Sequence, residues 1–130
     1  MYKAEARHNK DMSFLIDSNG QKLVIDAKGQ EGISPIDTLL AALASCVGVY
    51  IRKYSEGAKL NLENFTVAAE GELSGEPPRA LKQISVFIDL KGVKLDTRRE
   101  KALLDFVHNC PVQNTLTGLP EIKVNLTDGN

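Results

Sequence analysis

Residues 39–51, LLAALASCVGVYI, run without a single charge and lie inside a longer helical pattern. Leu39, Leu40, Leu43, Cys46, Val47, Tyr50, Ile51 and Tyr54 recur at three and four residues, the spacing of one helix face. Ser34 is placed to cap that helix, Pro35 suits its first position, and Asp37 stands three residues after Ser34 as in a capping box. Gly57 supplies a stop, so the pattern predicts one helix of about twenty residues. Ala41, Ala42 and Ala44 fill its other face, leaving it apolar nearly all round and suited to burial on several sides. A chain of 130 residues builds only one core, too little to enclose such a helix, so a partner subunit is expected. The charge-free run falls short of the roughly 20 residues that span a bilayer, and Asp37 and Arg52 border it, so no membrane segment is expected.

On the N-terminal side, Tyr2, Ala4, Ala6 and His8 alternate with Lys3, Glu5 and Arg7, which reads as a half-buried strand. MSFLIDSNGQKLVID follows as two short apolar runs joined at Asn19-Gly20, a strong hairpin signal because both residues tolerate positive φ. Beyond the helix, Phe65, Val67, Ala69 and Leu73 share one face of a strand, and Ile84, Val86, Ile88 and Leu90 one face of the next. The turn-rich SGEPPR joins them. Asp96 is placed to cap a helix whose stripe holds Leu95, Ala102, Leu103, Phe106, Val107 and Cys110. Pro111 ends or kinks it, and VQNTLTG adds about two turns. IKVNL, residues 122–126, reads as a last strand. The order βββ-α-ββ-α-β in a single domain predicts an α+β fold with antiparallel sheets.

Sixteen basic residues against seventeen acidic ones, with no dense basic cluster, argue against a nucleic-acid partner. No glycine-rich phosphate loop follows a strand, and the N-terminal residues carry no apolar signal core, so a cytoplasmic location is the default expectation. In a reducing compartment two cysteines bear on chemistry more than on cross-linking.

Cys46 and Cys110 both fall on inward helix faces, where a cysteine is commonly an inert apolar filler. The pair nevertheless has a chemical reading. Cys110 directly precedes Pro111 and so opens a fresh helical segment, whose unpaired N–H groups favour a thiolate. An attacking thiolate with a second thiol in reach is the minimal equipment of a two-cysteine peroxidase. Spacing alone leaves filler and reagent both open. His108 faces elsewhere than Cys110, two residues on, and two ligands make no zinc site.

SPIDTLLAALASC followed by CPVQNTL, in a chain of this length and element order, resembles the OsmC/Ohr family of bacterial osmotic and organic-hydroperoxide stress proteins. The resemblance covers essentially the whole chain. It implies an OsmC-like fold in an intertwined homodimer, with sheets wrapped around long central helices and active sites at the subunit interface. It also implies a thiol peroxidase that reduces organic hydroperoxides without metal or flavin. Carried over by position, Cys46 would be peroxidatic, passing through a sulfenic acid, and Cys110 would resolve it as a disulfide. A dithiol, often lipoyl-type, would then reduce the bridge.

In the family an arginine from the N-terminal strands activates the thiolate, and a glutamate just ahead of the first cysteine helix holds that arginine. Arg7, the only arginine before the helix, would take the first role; its other reading is a solvated charge beside Lys3 and Glu5. Ile36 stands where the peroxidases carry glutamate. Asp37, one place on, would have to orient the arginine, yet it has a complete alternative role in the capping box. Nine residues of straight helix place it about 13 Å from Cys46. These departures point to an OsmC-like branch apart from the classical peroxidases. They keep a second reading in play, a non-catalytic dimer that binds a small hydrophobic molecule or senses redox state.

Overall fold

Ser18 pairs with Gln21 across Asn19-Gly20, closing that hairpin through a two-residue loop. Asn19 and Gly20 both take positive φ, 51° and 79°, the backbone such a loop needs to match the twist of its strands. The protein is described by a computed structural model over residues 1–127. Its elements are β1 (Glu5–His8), β2 (Ser13–Ser18), β3 (Gln21–Asp26), α1 (Pro35–Gly57), β4 (Thr66–Leu73), β5 (Leu81–Asp89), α2 (Thr97–Val107) and α3 (Pro111–Gly118). They group into two units, Met1–Ser45 with Val67–Phe87, and Cys46–Thr66 with the chain from Ile88 onward; the division falls inside α1.

In the first unit, β1, β2 and β3 form an antiparallel sheet with β2 in the centre. Arg7 lies opposite Leu15 and Leu15 opposite Val24, while Glu5, Asp17 and Lys22 form the next row of the same face. The expected half-buried first strand is shorter than its alternation suggested, and all four of its residues are exposed. Alternation prepares a face for burial, but the single chain does not cover this one. After β3 the chain turns around Asp26, whose nearly buried carboxylate accepts the N–H groups of Lys28, Gln30 and Glu31 at 2.9, 3.3 and 3.0 Å. Those bonds, that of Glu31 foremost, hold its carboxyl below the usual range. β4 and β5 form a second sheet. They approach so closely at Gly71 that a Cβ there would lie 2.8 Å from the Gln83 carbonyl oxygen.

Ser34 caps the start of α1 as expected. Asp37 N–H donates to Ser34 Oγ at 3.1 Å, and Thr38 N–H donates to the Ser34 carbonyl at 2.8 Å. The helix runs 23 residues. Leu43, Val47, Ile51 and Ser55, each four apart, make its buried seam. Outside that seam Ile36, Leu39 and Val49 stay 39%, 37% and 50% exposed, so the single chain leaves much of this apolar helix uncovered. Its most apolar 18-residue window has mean hydropathy 1.3, long and apolar enough to cross a membrane by composition, a test that the core helix of a soluble protein also passes.

In the second unit Ser55 ties down the chain that leaves α1. Its hydroxyl donates to the Leu60 carbonyl at 2.6 Å and accepts the Leu62 N–H at 3.0 Å, while an Arg52 amino group donates to the Leu62 carbonyl at 2.9 Å. Asp96 caps α2 as expected, accepting Arg99 N–H at 2.8 Å, and Leu103 and Val107 are its buried positions. α2 stops before Pro111, and α3 starts there. Residues 122–126 are not a strand, so the observed order is βββ-α-ββ-α-α. Ile122, Val124 and Leu126 are 81%, 91% and 99% exposed. Their alternation equips them for one face of a sheet, but a strand exists only when paired, and among the described residues they pair with no edge.

Candidate active site

Cys46 sits in the interior of α1, where the helix ladder engages its backbone, and its side chain is partly exposed. Cys110 is wholly buried. Its position is made by the break between α2 and α3. His108, Asn109 and Cys110 each donate their N–H three residues back, to Asp105, Phe106 and Val107, which tightens the last turn of α2. Pro111 cannot continue that ladder but suits the first position of a new helix. Cys110 thereby becomes the N-cap of α3, and its Sγ accepts the Gln113 N–H at 3.5 Å.

The two thiols are neighbours and unlinked. Burial pushes the Cys110 thiol up from its ordinary range, and the nearby Cys46 thiol pushes it further. The backbone N–H groups of Gln113 and Val112 pull the other way without reversing the shift. Cys110 is therefore held as a neutral thiol near Cys46, and Cys46 is the more exposed residue of the two. Tyr50, four residues after Cys46, and Phe106, four before Cys110, bring their rings to 5.9 Å, and Tyr54 stands 5.9 Å from Phe106 on the next turn. An aromatic cluster thus lies one helical turn from each cysteine. Sequence reading placed these residues on helical stripes without assigning them to the site; the four-residue offset from each cysteine is the signal that would have found them.

Arg7 and Asp37 belong to the first unit. Arg7 is exposed on β1, lining a groove of about 530 Å³ on the sheet face it shares with Leu15, Asp17 and Lys22. It makes no ion pair among the described residues. The Asp17 carboxyl is held low mainly by Lys22, then by the Gly20 N–H, with Arg7 a minor contributor. The Asp37 carboxylate accepts the Ser34 hydroxyl at 2.8 Å, so it is engaged in the cap. His108 is exposed at the end of α2, 3.1 Å from the Gln113 side-chain amide. Among the described residues no three His, Cys, Asp or Glu side chains gather as a metal site would require.

A model of the family described as OsmC-like protein matches residues 27–125. The chain is similar to the hydroperoxide reductases of Mycoplasma pneumoniae and Mycoplasma genitalium. It is 25% identical to the first over 96% of this chain and 93% of that protein. The second gives 25% identity over 97% and 94%. A crystal structure of an OsmC-like protein from Mycoplasma pneumoniae superposes with a TM-score of 0.78 at 23% identity, covering 98% of this chain and 94% of that one. The chain has the OsmC-like fold.

Proposed function

The chain belongs to the OsmC-like protein family, and from that membership we propose that it is a thiol-dependent hydroperoxide reductase acting through Cys46 and Cys110. The observation that carries the reading is the pair itself: adjacent, unlinked sulfurs of unequal access, Cys46 partly exposed and Cys110 buried at a helix cap. Relatives named hydroperoxide reductase along nearly the whole chain support it.

In the proposed cycle the Cys46 thiolate attacks the outer oxygen of an organic hydroperoxide. The O–O bond breaks, the alcohol leaves with a proton, and Cys46 becomes a sulfenic acid. The Cys110 sulfur then attacks the Cys46 sulfur, water departs and a disulfide remains. A dithiol, of the lipoyl type in line with the family, returns both thiols and is itself oxidised to a disulfide. Arg7 is the proposed cation that lowers the energy of the Cys46 thiolate, with Asp37 a weaker candidate for orienting it because its carboxylate already serves the cap. We place the cycle in a homodimer, which the uncovered faces of α1 and the unpaired 122–126 segment support.

Hydroperoxide consumption with a dithiol tests the reading. Cys46→Ser should abolish turnover, whereas Cys110→Ser should keep a first, stoichiometric burst and lose the later cycles. Undiminished consumption by Cys46→Ser would end the proposal. The engagement of Asp37 with Ser34 favours one competitor, a redox-sensing or ligand-binding dimer. That reading gains if peroxide forms the Cys46–Cys110 disulfide stoichiometrically and no dithiol supports turnover.

A further inference from the structure

A disulfide between unequal sulfurs offers two points of attack, and a thiolate must approach the struck sulfur in line, from the side away from the leaving one. Cys110 has 0% exposure and lies on the buried stripe of Leu103 and Val107, while Cys46 retains access to solvent. The sulfurs also differ in the backbone groups that could receive a leaving thiolate, but burial outweighs that help at Cys110, so access is the deciding difference. In the interior of α1 the backbone N–H groups are spent on the helix ladder, so Cys46 has none to receive it. Cys110 is the N-cap of the eight-residue α3, with the Gln113 N–H already directed at its Sγ.

We infer that a reductant opens the Cys46–Cys110 disulfide only at Cys46, with Cys110 departing into the first turn of α3. The inference rests on the proposed cycle in assuming a disulfide between these residues, but it depends on the pair's geometry and not on what oxidises it. In the first step one thiolate of a dithiol attacks Cys46 Sγ. A new S–S bond joins the reductant to Cys46, the protein S–S bond breaks, and its electron pair leaves on Cys110 Sγ. Burial then draws a proton onto Cys110, which keeps it from attacking the mixed disulfide in return. In the second step the remaining thiol of the reductant, deprotonated, attacks the reductant's own mixed-disulfide sulfur. This closes a cyclic disulfide and releases the Cys46 thiolate. The dithiol loses two electrons and two protons, and the protein disulfide gains them as two thiols. The thiol-binding end of the reductant must therefore be slender enough to reach a partly buried sulfur within a helix.

The test needs no variant. The wild-type protein is oxidised with diamide, which requires no peroxidase activity, and then treated briefly with mercaptoethanol. Acid quenching, alkylation with N-ethylmaleimide and peptide mass mapping locate the adducts. Mercaptoethanol should sit on Cys46 and maleimide on Cys110 by at least about tenfold over the reverse, and the bias should disappear in denaturant. Even distribution, preference for Cys110, or a bias that survives unfolding would each overturn the inference, as would failure of diamide to form the intramolecular bridge. Absence of hydroperoxide turnover with the bias intact would count against the proposed function alone and leave this inference standing.

Discussion

Cys110 is a cap, a buried thiol and a neighbour of Cys46 at once, and the three roles act on its proton in different directions. Its thiol is raised, with burial the largest cause. Two outcomes follow. In the reduced, folded protein at neutral pH iodoacetamide should modify Cys46 and spare Cys110, whose labelling should appear only well above the ordinary thiol range. Equal rates for the two, measured by peptide mass mapping, would contradict the burial argument. Because the folded value exceeds the unfolded one of about 8.5, the group's contribution to stability is complete below that pH. It is lost as pH rises through the folded value, so the alkaline loss of stability should be flatter in Cys110→Ala. Asp26 behaves oppositely. Its folded value is depressed by the N–H groups of Glu31, Lys28 and Gln30, so its contribution is present above about pH 4 and lost as pH falls through the folded value. Urea midpoints across the acid range should fall less steeply for Asp26→Asn than for the parent. Neither effect was legible beforehand. An aspartate after a strand and a cysteine before a proline are ordinary in sequence, and only folding gathers three N–H groups around the one and a second thiol beside the other.

At the scale of elements, α1 was readable almost to its ends, because Ser34, Pro35 and Asp37 act within one turn and the apolar spacing is local. The Asn19-Gly20 hairpin, the Asp96 cap and the restart at Pro111 were readable for the same reason. What spacing did not reveal was Ser55. It continues the four-residue seam of Leu43, Val47 and Ile51 as a polar residue, so it reads as the exposed end of a stripe when it is in fact fully buried. Its hydroxyl serves Leu60 and Leu62, neither of which can be assigned to it from the chain order alone. Ser55→Ala strands a part-buried carbonyl and a buried N–H, and should cost about 1–3 kcal/mol in denaturant unfolding. Ser34→Ala, which removes a partly exposed cap, should cost about 1 kcal/mol. A smaller loss at Ser55 than at Ser34 would mean that the chain after α1 repacks freely.

At the scale of the molecule, the single chain is left with apolar surface that a water-soluble protein seldom presents: the uncovered faces of α1 and the alternating Ile122, Val124 and Leu126. Sedimentation should show a dimer, with thermal unfolding that rises with protein concentration. Truncation after Pro120 should weaken it. A monomer at high concentration, unaffected by truncation, would remove the homodimer from the proposed function. The amino-acid order by itself determined the α+β class, the long helix, the three opening strands and the helical placing of the two cysteines, since each rests on periodicity or on caps a few residues apart. It also carried the family, through SPIDTLLAALASC and CPVQNTL. Only the tertiary structure decided that the cysteines are neighbours, that one is buried and the other open, that Asp37 is taken up by Ser34, and that residues 122–126 remain unpaired. These are statements about which distant groups meet, and they depend on how much surface a fold can cover, a quantity that no local pattern contains.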